Sequence, residues 1–179
     1  RRDGAILREA FSNLGSGTTT AIDLVTNRKL ADVATGAGSE ALALTPDGHE
    51  LWVAARADGQ VAIVDTATLS VKVRLSLPGV PIRIAMNPDG RTALITCAGS
   101  AELVVFDVAT QRELRRARVT VPLAVGAAAR PAARLAPGSV LPVGLLVARD
   151  GRSAYVAATL GDQVVQFDTR SLAVLRTID

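Results

Sequence analysis

The chain has 179 residues, 49% of them apolar, which is enough for one sizeable hydrophobic core. A net charge of +3, aromatics at only 3% and no basic run with interleaved aromatics argue against nucleic-acid binding. No apolar run approaches the roughly 18 residues that a membrane-spanning helix needs, because charged residues, Gly or Pro interrupt each one.

An internal repeat organises the chain. Asp23, Asp65 and Asp107 are 42 residues apart, and Asp168 follows after 61 residues, one repeat plus 19 inserted residues. A period near 40 with several short strands per copy is typical of a β-propeller. The sequence therefore predicts an all-β fold, a propeller of four-stranded antiparallel blades. About four blades are expected here, as a fragment of a parent with six to eight.

The first copy, residues 3–38, is expected to be incomplete. Its predicted strands are Ala5–Asn13, Thr18–Leu24 and Lys29–Val33. The inner strand that opens the later copies has no equivalent in it, so we expect three strands in this blade.

The second copy, residues 39–80, shows the unit most fully. A Pro-Asp-Gly turn follows its first strand, and an Asp-x-x-Thr turn, whose carboxylate can accept backbone N–H bonds, precedes its last. Its two middle strands are continuous apolar runs, as expected where neighbouring blades cover both faces. The predicted strands are Ala41–Leu44, Leu51–Ala55, Val61–Val64 and Val71–Leu75.

Two further copies follow, at residues 81–119 and 142–179. Between them, residues 120–141 break the period; Ala, Pro, Gly and Arg dominate this stretch and no acidic residue occurs in it. We therefore expect an inter-blade insertion loop at 120–141.

The fourth copy carries a recognisable motif. Tyr155-Val156-Ala157-Ala158, followed by Gln163–Asp168, resembles the YVTN-type β-propeller repeat family, as does the order of turns and strands in three full copies. The resemblance implies a propeller fold and a periplasmic or secreted location. Similar propellers that carry redox cofactors or lactonase sites have added metal or haem ligands.

The chemistry of catalysis is sparse in this sequence. One His and one Cys do not make a metal-ligand cluster. His49 follows an Asp-Gly turn, so we expect it to be a solvated turn residue. Cys97 occupies the position that Ala55 and Ala158 occupy in other copies, so we expect it to be a small core residue. Aspartates that recur at every turn indicate structure. We therefore expect no catalytic residue, no metal and no cofactor.

The turns divide between two faces. In an antiparallel blade alternate turns lie on opposite sides, so the Pro-Asp-Gly and Asp-x-x-Thr turns share one face, here called the turn face. The opposite face, the loop face, receives the variable loops and the links between blades, and loops on a rigid scaffold often carry function.

Arg83 is the only charged residue in a predicted inner strand. There we expect it either to pair with a neighbouring blade or to bind a ligand. The candidate ligand-binding residues are Arg83, Arg56, Asp58 and Asp162.

Two functions from different classes fit these observations. The first is a non-catalytic extracytoplasmic binding or scaffold protein, whose loop face holds an unknown protein or small-molecule ligand. The alternative is an enzyme, a lactonase-like hydrolase or a cofactor-bearing redox subunit, whose ligands lie in blades outside this sequence.

Overall fold

The computed structural model describes residues 8–121 and 140–179. The regular secondary structure of these residues is all β-strand, apart from one short 3₁₀ helix at Thr159–Gly161. The strands are β1 (Arg8–Asn13), β2 (Thr18–Asp23), β3 (Arg28–Ala34), β4 (Ser39–Leu44), β5 (Glu50–Ala55), β6 (Gln60–Asp65), β7 (Ser70–Ser76), β8 (Pro81–Met86), β9 (Thr92–Cys97), β10 (Glu102–Asp107), β11 (Glu113–Arg118), β12 (Pro142–Val147), β13 (Ser153–Ala158), β14 (Gln163–Asp168) and β15 (Val174–Ile178).

The strands form four antiparallel sheets, each a meander in chain order. Blade 1 is β1-β2-β3, blade 2 is β4-β5-β6-β7, blade 3 is β8-β9-β10-β11, and blade 4 is β12-β13-β14-β15. The first strands of blades 2, 3 and 4 contact one another in succession, and β1 contacts β4. The predicted architecture of antiparallel blades around a shared inner edge is therefore confirmed.

The core lies between the blades. Between blades 2 and 3 it contains Trp52, Ile63, Ile95 and Phe106, and between blades 3 and 4 it contains residues such as Phe167. The middle strands contribute to both interfaces because successive side chains on a strand point to opposite faces. Fully burying one such side chain contributes roughly 1.5–3 kcal/mol, so stacked blades are the main source of stability.

Blade 1 has three strands in the described part of the chain, and none pairs with the inner edge of β1. This agrees with the expectation that the inner strand is missing from the first copy. Residues 5–7 of the first predicted strand, and residues 122–139 of the predicted insertion loop, lie outside the described residues.

The inner strand of blade 2 differs from the prediction in one respect that matters for function. It begins at Ser39 rather than Ala41, so Glu40 lies within it. The register with β5 shifts between Ser39 and Ala41, and β8 and β12 show the same shift after their first residue. The prediction counted only apolar residues, whereas a β-bulge adds a residue whose side chain need not follow the apolar pattern.

Candidate functional site

The turn face is fixed by aspartate side chains. Asp65 Oδ1 accepts hydrogen bonds from the backbone N–H of Ala67 (2.9 Å) and Thr68 (2.8 Å). These bonds hold the pKa of Asp65 below its ordinary value, and the bond from the backbone N–H of Thr68 has the largest effect. The same arrangement recurs at Asp107 and Asp168, as the sequence predicts for structural carboxylates.

The loop face is fixed mainly by the backbone. Each link between blades exchanges hydrogen bonds with the loops on either side of it. In the link from blade 2 to blade 3, Leu77 N donates to Gly59 O (2.8 Å), Ala98 N to Val80 O (2.9 Å) and Gly99 N to Gly79 O (2.7 Å). Because backbone groups carry these bonds, most side chains of the loop face are not needed to hold its shape.

A charged cluster joins two of the four candidate residues at the inner edge of the blades. Arg83 of β8 donates through Nη1 to Glu40 Oε1 at 3.0 Å, and Arg56 Nε lies 3.2 Å from Glu40 Oε2. Arg83 Nη1 also donates to the carbonyl of Ile82 at 2.7 Å. We call Arg56, Glu40 and Arg83 the axial cluster.

The axial cluster is partly exposed and carries a net positive charge. The side chains of Arg83, Arg56 and Glu40 are 42%, 41% and 28% exposed. One carboxylate faces two guanidiniums, each with five N–H donors, and their other donors bond no other described residue. This geometry suits an additional anionic group, because planar guanidinium binds carboxylate and phosphate in a bidentate manner.

The cluster also connects blades. Arg83 belongs to blade 3 and Glu40 to blade 2, and Ser12 of blade 1 donates through Oγ to the Glu40 carbonyl at 2.8 Å. Of the two roles weighed for Arg83, the structure shows pairing with a neighbouring blade, and its partial exposure leaves room for the other.

Asp58 and Asp162, the remaining candidates, lie outside this cluster. Asp58 Oδ2 accepts from the backbone N–H of Ala37 (2.8 Å) and from Gln60 Nε2 (2.9 Å), so it ties a loop to the preceding link. Asp162 lies in the equivalent loop of blade 4, exposed and in the left-handed region at φ 52°. Its side chain makes no hydrogen bond or ion pair with another described residue.

Glu40 was missed by sequence reasoning, and the expectation that Arg83 is the only charge in an inner strand is wrong. The acid stands where the other two inner strands have Ile82 and Val143. A single acidic residue at a position that is apolar in the other copies was a signal in the sequence. The predicted strand begins at Ala41 and follows only the apolar residues, so Glu40 lies outside it.

Cys97 and His49 behave as core and turn residues. Cys97 is fully buried between blades 2 and 3, and burial raises the pKa of its thiol to about 12, so it is protonated at neutral pH. His49 is exposed. Across residues 8–121 and 140–179, no three His, Cys, Asp or Glu side chains cluster as metal ligands.

Comparison with known protein structures identifies the fold of this chain. A solved structure described as Kuenenia stuttgartiensis hydrazine synthase matches with a TM-score of 0.81 and 22% sequence identity. The fold is that of a β-propeller. The match covers 96% of this chain but only 45% of the hydrazine synthase chain, and at this identity it shows the fold alone.

The sequence comparisons found no relatives. No family model matches the chain, and no curated protein matches it. In the part of the chain that the structure describes, no helix has the length and hydrophobicity to cross a membrane.

Proposed function

We propose that the chain is a non-catalytic binding protein that holds its partner on the loop face, with the axial cluster contacting an anionic group of that partner. The observation that carries the proposal is the sharing of one carboxylate by Arg56 and Arg83, which leaves a partly exposed excess of positive charge. A rigid backbone behind this cluster fixes the two guanidiniums in position, which lowers the entropic cost of binding.

The family resemblance supports the same proposal. The Tyr155-Val156 motif and its turns resemble YVTN-type repeats, and that resemblance is the basis for proposing a periplasmic or secreted location. The enzymatic alternative, with metal or cofactor ligands in other blades, rests on related propellers and has no support from a described residue.

Titration with small anions tests the proposal. The ¹⁵N-labelled chain is titrated with succinate and with inorganic phosphate, and the Nε–H signals of Arg56 and Arg83 are followed by NMR. We expect saturable shifts at both arginines, lost in Arg83→Ala. Arg152→Ala is the matched control, because Arg152 is an exposed arginine on the turn face and its loss should change nothing.

Glu40→Gln gives the opposite and more specific expectation. Gln is close to Glu in shape but carries no charge, so both guanidiniums lose their competing carboxylate. Anion binding should tighten several-fold. Equal affinity in wild type, Arg83→Ala and Glu40→Gln would show that the axial cluster is an inter-blade contact without a ligand.

A further inference from the structure

A cavity of about 640 Å³ lies between blades 1 and 2. Its wall on blade 1 includes Ala10, Thr19 and Ala21, and its wall on blade 2 includes Leu42 and Val64. The lining reaches the turn face at Gly48 and Ala67, away from the axial cluster on the loop face. The volume is within the range of about 300–1,000 Å³ that is common for small-molecule sites.

The repeat explains why this interface has space. Ala10 pairs with Ala21 across β1 and β2, as Trp52 pairs with Ile63 in blade 2 and Leu94 with Val105 in blade 3. The two positions that contain large side chains in the next two blades therefore contain methyl groups in blade 1.

The wall of the cavity on blade 2 also has a smaller side chain than its equivalent in blade 3. Val64 of blade 2 stands where blade 3 has Phe106, 42 residues further along. At the interface of blades 2 and 3 the rings of Trp52 and Phe106 meet edge to face, with centroids 6.2 Å apart. Between blades 1 and 2 the same two positions are Ala10 and Val64, so the space of an indole and most of a phenyl ring is left unfilled.

The cavity walls define the chemistry of an occupant. Thr19 Oγ1 is already hydrogen-bonded to Thr35 Oγ1 at 3.0 Å. Glu9 is the one charged residue among the described lining residues, but it is exposed and precedes Ala10 on β1, so its side chain points to the opposite face of the strand. A cavity with apolar walls and no charge facing it favours a flat apolar molecule that is neutral. We propose that this cavity binds an aromatic ligand of about the size of an indole, in the place that Trp52 fills one interface further along.

The test uses indole, tryptamine and indole-3-acetate as probes of one shape and three charges. Binding is followed by NMR of the methyl groups of Ala10, Ala21 and Leu42 in the full chain. We expect saturable shifts, with neutral indole binding most tightly, because each charged probe would have to bring its charge into an apolar cavity without a partner. Glu9→Gln should leave the order of the three probes unchanged, because the Glu9 side chain points away from the cavity.

Filling the cavity from the protein side gives the decisive variant. Ala10→Trp places an indole where blade 2 has Trp52, so it should weaken probe binding at least about tenfold and raise the melting temperature by about 2–4 °C. Phe11→Trp is the matched control. Phe11 is the next residue of β1, 47% exposed, and points to the opposite face of the strand, so its replacement should change neither property.

Each other outcome overturns the proposal. If indole causes no shift in wild type and Ala10→Trp lowers the melting temperature, another segment of the protein fills the space. If Ala10→Trp binds the probes as well as wild type does, the probes bind elsewhere. Should Ala10→Trp fail to fold, the smaller Ala21→Ile, which copies Ile63, must weaken binding for the proposal to stand.

Discussion

The turn face and the loop face join the same strands, yet they are held in different ways. On the turn face an Asp side chain accepts backbone N–H bonds in each blade, at Asp23, Asp65, Asp107 and Asp168. On the loop face the loops and links bond to one another through backbone groups. A side chain that completes a turn must recur in every copy, whereas a loop held by its backbone is free to vary in side chain.

The largest expected difference between the faces lies in their glycines. Gly36, in a link of the loop face, has φ +121°, and an added Cβ would lie 2.7 Å from Ala55 Cβ and 2.9 Å from Asp58 Oδ2. Gly48, on the turn face, has φ +78° and no atom within 4 Å of an added Cβ. Gly36→Ala should therefore cost about 3 kcal/mol through strain and overpacking, and Gly48→Ala about 1 kcal/mol through strain alone. Urea unfolding measures both, and equal losses would show that the link relaxes.

Acid should act on the turn face through its aspartates. Hydrogen bonds to the turn backbone lower the pKa of Asp65, Asp107 and Asp168 below the ordinary 3.8. Their contribution to stability is therefore complete above pH 3.8 and is lost as the pH falls through the lower pKa of the folded state. The variant with all three changed to Asn should melt at a lower temperature near neutral pH and lose less on acidification. Melting curves from neutral pH to below 3.8 test this, and an unchanged acid slope would contradict it.

The smallest expected effect separates two acids of the loop face. Asp58→Ala removes an acceptor from the N–H of Ala37 and should cost about 1 kcal/mol. Asp162→Asn is the matched control, since Asn tolerates the left-handed backbone at φ 52° and no hydrogen bond to another described residue is lost. Its stability should stay within about 0.5 kcal/mol of wild type. Similar losses in both variants, measured by urea unfolding, would mean that charge rather than hydrogen bonding at Asp58 matters.

Most of the fold could be predicted because the sequence patterns that determine a blade are local and recur in each copy. The 42-residue offset, the turn motifs and the apolar middle strands each predict one part of a blade, and together they predicted the order of strands. The three strands of blade 1 followed from the same alignment of copies. The exact start of β4 did not, because a β-bulge breaks the alternation on which the prediction depended.

The site was predicted less completely. The sequence predicts Arg56 and Arg83 as candidates from their places in a loop and an inner strand. Their shared contact with Glu40 depends on how neighbouring blades approach each other, and the spacing within one copy does not encode that.

The cavity between blades 1 and 2 could be predicted in part. The contrast of Ala10 and Ala21 with Trp52 and Ile63 was present in the sequence, and only its position between two blades required the structure.

The buried thiol of Cys97 can report how often two neighbouring blades separate. It lies between blades 2 and 3 and is protonated at neutral pH, so a thiol-specific reagent can reach and modify it only while that interface is open. The modification rate therefore reports how often the two blades separate, in the same way that amide hydrogen exchange reports local opening. Because this is the one cysteine of the sequence, the signal comes from a single interface and needs no engineered label.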